Sequence, residues 1–221
     1  MGSIRVNVAE LIAELPVSVT LVAAAKTRTP QEIIEAIEAG VKAIGMNYVQ
    51  EAELAFEAVG RKARWHMIGH LQRNKAKTAV RIFDIIETVD SLRLAEEIDK
   101  HCKAIEKDMP VLIEINSGKE EQKTGVVPEK AEELIREIAA LHRVHVAGLM
   151  TMGPRFGDPE DARPFFQATK RLFDELADMS IDDTRMQMLS MGMSNSYRVA
   201  IEEGATLVRI GTSLFGERVY D

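Results

Sequence analysis

The chain has 221 residues, 46% of them apolar and 29% charged, with 28 Lys and Arg against 35 Asp and Glu for a net charge of −7. That balance belongs to an ordinary globular chain and speaks against a dedicated nucleic-acid surface or an anionic-membrane surface. The single cysteine, Cys102, excludes an intrachain disulfide and a cysteine-pair metal or redox site, which fits a reducing, cytoplasmic compartment. Residues 1–15 lack a secretory pattern, and the longest apolar run is far short of a bilayer span.

Residues 7–14 predict a short amphipathic helix capped by Asn7 and ended by Pro16, so that 1–16 forms an N-terminal helical segment packing on the remainder of the chain. Residues 17–25 are almost continuously apolar and predict a strand buried on both faces. Thr29-Pro30-Gln31-Glu32 is a capping box with proline at the first helical position, opening a helix that stops at Gly40. A strand at 41–46 leads through Asn47 to a helix ending at Gly60. Further strands are predicted at 64–68, 84–89, 110–116, 144–150, 186–190 and 206–210. The helices between them fall at 72–80, 90–107 (capped by Asp90), 128–141, 160–178 and 194–204 (capped by Ser194), with loops at 117–127 and 151–159.

About eight strands alternating with helices imply a parallel sheet. In one domain of this length they favour a closed (β/α)8 TIM-type barrel spanning 1–221. The rival, an open doubly wound sheet, lacks a G-x-G-x-x-G after an early strand. A faint internal echo supports the barrel: Ala36-Ile37-Glu38-Ala39-Gly40 recurs as Ala200-Ile201-Glu202-Glu203-Gly204, each before a strand ending in Ile-Gly.

Functional groups of such barrels lie at the C-terminal strand ends. Here these are Lys26, Asn47, the 66–70 segment with His66 and His70, Asp90, Asn116, Met150, Ser190 and Arg209. The set holds one amine and one guanidinium but no carboxylate cluster, which argues against a divalent-metal enzyme. Lys26 closes an apolar strand. It either snorkels to solvent or, partly desolvated, supplies a nucleophilic amine for a Schiff base. Ser190-Met191-Gly192-Met193-Ser194 and Arg209-Ile210-Gly211-Thr212-Ser213 follow strands seven and eight, where barrel phosphate sites sit, and each has a glycine that lets backbone N–H groups approach an anion. The alternative is two ordinary capped turns. Arg209, inside an apolar strand, is either an ion-pair partner of a neighbouring strand or a cation aimed into the barrel mouth. His66 and His70 are four apart, but Gly69 and the strand break a helical metal geometry; His142 and His145 fall at a helix end and a strand start, and no metal site is expected. Met186, Met188, Met191 and Met193 read as gap-filling positions.

These residues carry a resemblance. Ala24-Ala25-Lys26-Thr27, Gly45-Met46-Asn47-Tyr48-Val49-Gln50-Glu51, Trp65-His66-Met67-Ile68-Gly69-His70-Leu71-Gln72-Arg73-Asn74-Lys75, Gly148-Leu149-Met150, Leu189-Ser190-Met191-Gly192-Met193-Ser194 and Val208-Arg209-Ile210-Gly211-Thr212 span nearly the whole chain in order. The sequence resembles the pyridoxal-phosphate homeostasis protein family, related to the N-terminal barrel domain of alanine racemases. The resemblance implies pyridoxal 5′-phosphate (PLP) held as an internal aldimine on Lys26. It implies a phosphate cradle from Ser190, Met191, Gly192, Met193, Ser194, Gly211 and Thr212, Arg209 at the pyridine nitrogen, and Asn47 and His66 lining the pocket. It further implies Lys123, before Thr124-Gly125, as a possible second PLP amine, against the plainer reading of a solvated loop lysine. The family's usual acidic residue before the Asn-Tyr pair is Met46 here, Arg28 sits where a second lysine is common, and the segment before the first strand is short.

An arginine at the ring nitrogen discourages its protonation, so the ring is a weak electron sink. Racemases of this class add a tyrosine base from a second domain, and this chain stops at Asp221. The expected function is therefore a PLP carrier in vitamin B6 homeostasis with little or no catalysis of its own. Expected partners are PLP and apo PLP-dependent enzymes as recipients, and the expected state is a monomer. A small PLP-dependent amino-acid racemase is the alternative, and an aldolase-like barrel in which Lys26 attacks a phosphosugar carbonyl is a third reading.

Overall fold

A computed structural model of the chain describes residues 3–119, 124–153 and 157–217. Eight parallel strands close on themselves in sequence order: β1 (Thr20–Ala24), β2 (Ala43–Met46), β3 (Arg64–Met67), β4 (Ile85–Val89), β5 (Met109–Ile115), β6 (Val144–Thr151), β7 (Thr184–Ser190) and β8 (Leu207–Ile210). The expected (β/α)8 barrel is thus the observed architecture. Around it lie α1 (Ile4–Glu14), α2 (Pro30–Glu38), α3 (Val49–Val59), α4 (Ala76–Ile82), α5 (Leu92–Lys103), α6 (Ala131–Ala139), α7 (Arg163–Asp178), α8 (Tyr197–Glu202) and α9 (Thr212–Phe215).

Alternation of side chains along each strand divides the core in two. Outward residues such as Ala23, Ile44, Trp65, Ile86, Ile113 and Val208 pack under the helices in one large cluster. Inward residues form two small ones: Val22, Ala43, Ile68 and Leu207, and Ile85, Leu112 and Met150, both touching Met188. Among the other inward residues are the buried polar side chains His66, Glu87, Glu114, Ser190 and Arg209.

Where the sequence reading and the structure differ, the reasons are local. β1 starts at Thr20, not at 17, because Pro16 initiates a turn closed by the Val19 N–H on the Pro16 carbonyl (2.9 Å), leaving Val17 fully exposed. α1 begins at Ile4, capped by Ser3, which accepts from the Val6 N–H; Asn7 lies inside the helix and donates instead to the Leu214 carbonyl (2.9 Å), fastening α1 to α9. The capping box of α2 forms as read, with Glu32 accepting from the Thr29 N–H at 2.8 Å. Asp90 does not cap α5: Ser91 precedes the helix, and the Asp90 carboxylate accepts from the Ser91 hydroxyl. β7 begins two residues early, at Thr184.

Candidate functional site

β1 and β8 are neighbours, with Val22 paired to Arg209 and Ala23 to Ile210. The end of β1 therefore lies beside the turn after β8. Lys26, half-buried two residues past β1, and Gly211–Thr212 share one rim of the barrel; a Cβ on Gly211 would stand 3.1 Å from the Ala24 carbonyl oxygen. The loop after Lys26 is tied down. Thr27, at φ +63°, donates its N–H to Glu51 on α3 (3.0 Å). Arg28 donates to the Gly216 carbonyl (2.5 Å), pairs with Glu32 and lies over the Phe215 ring. Its cation is thus spent on holding the C-terminal turn against the β1 loop. Asn47 is half-buried at the end of β2, on the same rim.

The turns after β7 and β8 meet through one hydroxyl. Ser194 Oγ accepts from the Gly211 N–H (3.3 Å) and the Ser213 N–H (3.4 Å). Ser194 is not the helix cap that its position in the sequence predicts. The helix starts later, behind Ser196, whose Oγ accepts from the Met193 N–H (3.3 Å). Ser194 is left to bridge the two turns, where a single oxygen already draws two backbone N–H groups. Convergent N–H groups of this kind are what an anion's oxygen requires. With α8 six residues long and α9 four, the donors are the turn N–H groups themselves and not a long helix dipole. Gly192 is obligatory: at φ +90°, a Cβ would come within 2.5 Å of Ala200 Cβ and 3.0 Å of Tyr197 Cα. Met191 is buried beneath the turn, its N–H on the Leu207 carbonyl (3.1 Å).

Below this rim the inward face holds a network that a reading of strand ends does not find. Glu87, in mid-β4 and wholly buried, stands 2.6 Å from His66 Nδ1 on β3 and accepts from the Ser190 hydroxyl at 2.6 Å. Arg209 donates to Ser190 Oγ (2.6 Å) and to the Thr151 carbonyl (2.9 Å), and its guanidinium lies 4.0 Å from Glu87 Oε2. Burial alone would raise the Glu87 carboxyl, but the hydrogen bond with His66, the Arg209 charge and the Ser190 hydroxyl hold it below the usual carboxylate range. An ionised Glu87 only accepts, so His66 donates through Nδ1–H. The counter-charge of Arg209 thus comes from across the barrel on β4 rather than from a neighbouring strand, and two of its five N–H donors are engaged as described.

A second buried carboxyl, Glu114 on β5, also faces inward; burial raises it, against the Thr124 hydroxyl bond that lowers it. The signal for both was present in the sequence as charges inside apolar strands, Ile85-Ile86-Glu87-Thr88-Val89 and Val111-Leu112-Ile113-Glu114-Ile115, the same signal that drew attention to Arg209. The interior therefore holds two buried carboxyls that the strand ends alone do not reveal. Among the described residues no three His, Cys, Asp or Glu groups converge to hold a metal. His70 lies 3.8 Å from Asp90, away from the Glu87–His66 pair. Cys102 is buried in α5, and burial pushes its thiol up to about 11, far from a nucleophile's range. Lys123 lies outside the described residues. Among the described residues no helix is long and apolar enough to cross a membrane.

Fold and site define a parallel barrel protein with a polar mouth, in which an amine, two converging glycine turns and a buried guanidinium share the C-terminal side. The family description "Alanine racemase, N-terminal domain" matches residues 1–219. The chain is 45% identical over 201 residues to the pyridoxal phosphate homeostasis protein of Aquifex aeolicus, covering 90% of this chain and 87% of that one. It belongs to the pyridoxal phosphate homeostasis proteins of the alanine racemase N-terminal domain family. PipY of Synechococcus elongatus, whose structure was solved with PLP bound, superposes with a TM-score of 0.89 at 33% identity, covering 97% of this chain and all of that one. An alanine racemase of Clostridium difficile, 17% identical, shares the fold at a TM-score of 0.82 over 99% of this chain and 58% of its own.

Proposed function

We propose that this protein binds PLP and holds it in the service of PLP homeostasis, with Lys26 as the amine that carries it as a Schiff base. The observation that carries this reading is the adjacency of Lys26 to the Gly211–Ser213 turn across the β1–β8 pair, with Ser194 Oγ already drawing two N–H groups from that turn. The residues present fit the group. PLP, when bound, supplies an aldehyde that condenses with an amine and a phosphate dianion that needs N–H donors and hydroxyls.

In this reading Lys26 receives the aldehyde, Gly192, Ser194, Gly211 and Thr212 surround the phosphate, and Met191 and Met193 shape the turn through N–H groups bonded to the Leu207 carbonyl and Ser196 Oγ. Arg209, Ser190 and His66 would face the ring from the interior, and Asn47 would line the mouth. Glu87 gives Arg209 its counter-charge and holds the His66 Nδ1–H toward itself, so the interior presents donors and a fixed cation rather than a carboxylate to a ring nitrogen. A permanent cation there disfavours protonation of the ring and with it carbanion chemistry. Holding and release to apo PLP-dependent enzymes in the cytoplasm, by a monomer, is the function that such a site serves.

Titration of the purified protein with PLP tests this. A visible band should develop and be lost in Lys26→Ala, with no racemisation of the common amino acids. Racemisation at ~1 s⁻¹ or faster, within the range of working enzymes, would show instead that the racemase reading holds.

A further inference from the structure

Glu114 is the one buried side chain whose polar atom has no partner among the described residues. It is 4% exposed, and its Oε2 makes no hydrogen bond. A buried acceptor or donor left without a partner is costly, so a group of this kind among satisfied neighbours calls for one.

Its direction is set by the sheet. Leu112, two residues earlier, belongs to an interior cluster, so Glu114 faces inward as well. Glu114 pairs with Met150 on β6, and Met150 pairs with Ser190 on β7. Glu114 thus lies in the same hydrogen-bonded row as Ser190, on the same face, two strands away. Its other oxygen is held: Thr124 Oγ1 donates to Oε1 at 2.7 Å, and the returning segment is locked by the Val126 N–H on the Glu114 carbonyl (2.8 Å) and the Asn116 N–H on the Val126 carbonyl (2.9 Å). Gly125, at φ +101°, makes that return possible, since a Cβ there would stand 2.9 Å from the Asn116 nitrogen. The carboxyl is therefore fixed by one oxygen and offers the other to the interior.

We propose that Glu114 is a ligand-positioning residue whose Oε2 makes a hydrogen bond to a polar atom of the bound PLP other than its phosphate and its ring nitrogen. This rests on the PLP-binding reading above. The phosphate is excluded as the partner because its donors lie on the β7 and β8 turns, and a carboxyl group on β5 offers an anion at most one proton. Burial keeps Glu114 protonated to higher pH than usual. The charged groups that influence it are Asp90 at the end of β4, His70 after β3 and Arg209 on β8. Glu87, also inward-facing, is engaged with His66 and Ser190. A protonated carboxyl donates where a carboxylate accepts, so the contact depends on pH in a way an amide cannot reproduce.

The test compares wild type, E114Q and E114L by PLP affinity and by the visible spectrum of the bound PLP across pH 4–9. One neutral hydrogen bond of about 1.4 kcal/mol corresponds to ~10-fold in affinity. E114L should therefore bind PLP ~10-fold more weakly. E114Q, which can still donate, should bind within ~3-fold of wild type. The wild-type spectrum should show a pH step above 4.5 that E114Q lacks. If E114L does not fold, the spectral step in wild type and its loss in E114Q decide. Unchanged affinity in E114L, or an identical spectral titration in E114Q, would overturn the inference and leave PLP binding standing. Failure of wild type to bind PLP would overturn both.

Discussion

Replacing Glu87 with glutamine removes one charge from the middle of the barrel and leaves its shape. In the wild type this carboxylate is wholly buried, accepts from Ser190, receives His66 Nδ1–H and lies 4.0 Å from the Arg209 guanidinium, itself 4% exposed. The amide keeps one carbonyl oxygen for Ser190, but its NH2 faces a ring nitrogen that already carries a proton, so His66 must switch tautomer or lose the bond. Arg209, unable to lose its proton, is left buried with its nearest counter-charge gone. Breaking a buried ion pair by removing one partner typically costs ~3–5 kcal/mol. That is a fifth or more of a domain's usual ~5–15 kcal/mol. At ~2–4 °C per kcal/mol for a chain of this size, Tm should fall by ~6–20 °C. Urea unfolding of the ligand-free protein measures the free-energy loss, and a thermal scan the fall in Tm. The double variant E87Q/R209M should recover ~2 kcal/mol or more relative to additivity, because the orphaned cation is gone. A loss below ~1 kcal/mol in E87Q, or strict additivity in the cycle, would show that Glu87 and Arg209 are not energetically linked.

The remaining predictions read single features. Gly192→Ala should destabilise the protein by ~2–4 kcal/mol and weaken PLP binding together, since the side chain meets Ala200 at 2.5 Å in a left-handed conformation; thermal unfolding and PLP titration measure the two effects. Thr29→Ala, which removes the α2 capping box, should cost ~1 kcal/mol in urea unfolding without altering PLP binding. The two buried carboxyls act oppositely on the pH dependence of stability. Glu87, held low when folded, stabilises above its unfolded value near 4.5 and loses that contribution as pH falls through its folded value. Glu114, held high, keeps its proton when the unfolded chain has released it, so its contribution declines as pH rises from 4.5 to its folded value and is then constant. In E114Q that decline should vanish, and a wild-type slope retained in E114Q would refute the assignment.

Most of the fold and part of the candidate site can be read from residue order. Alternating strands and helices, the Thr29–Glu32 box and the glycines at 192 and 211 act through local physics, which a linear pattern records. Lys26 and the two turns are legible because barrel strand ends are a fixed place to look. Glu87 is not, because it stands in mid-strand: its meaning lies in Ser190, 103 residues later, and Arg209 further on, a pairing that only closure of the barrel creates. Ser194 misleads for a related reason. Serine before a short helix is a natural cap, yet the neighbouring turn after β8 offers its N–H groups to the same oxygen, and Ser196 takes the capping place. The start of β1 is placed too early by apolar character alone, which does not register the turn that Pro16 sets.

The most direct measurement is peptide mapping by mass spectrometry after the protein is loaded with PLP and reduced with borohydride. A stoichiometric pyridoxyl-phosphate adduct on the peptide carrying Lys26, abolished in Lys26→Ala, is the expected result. An unmodified Lys26, with adducts scattered over surface lysines or confined to another amine, would contradict a site built between the end of β1 and the turns after β7 and β8.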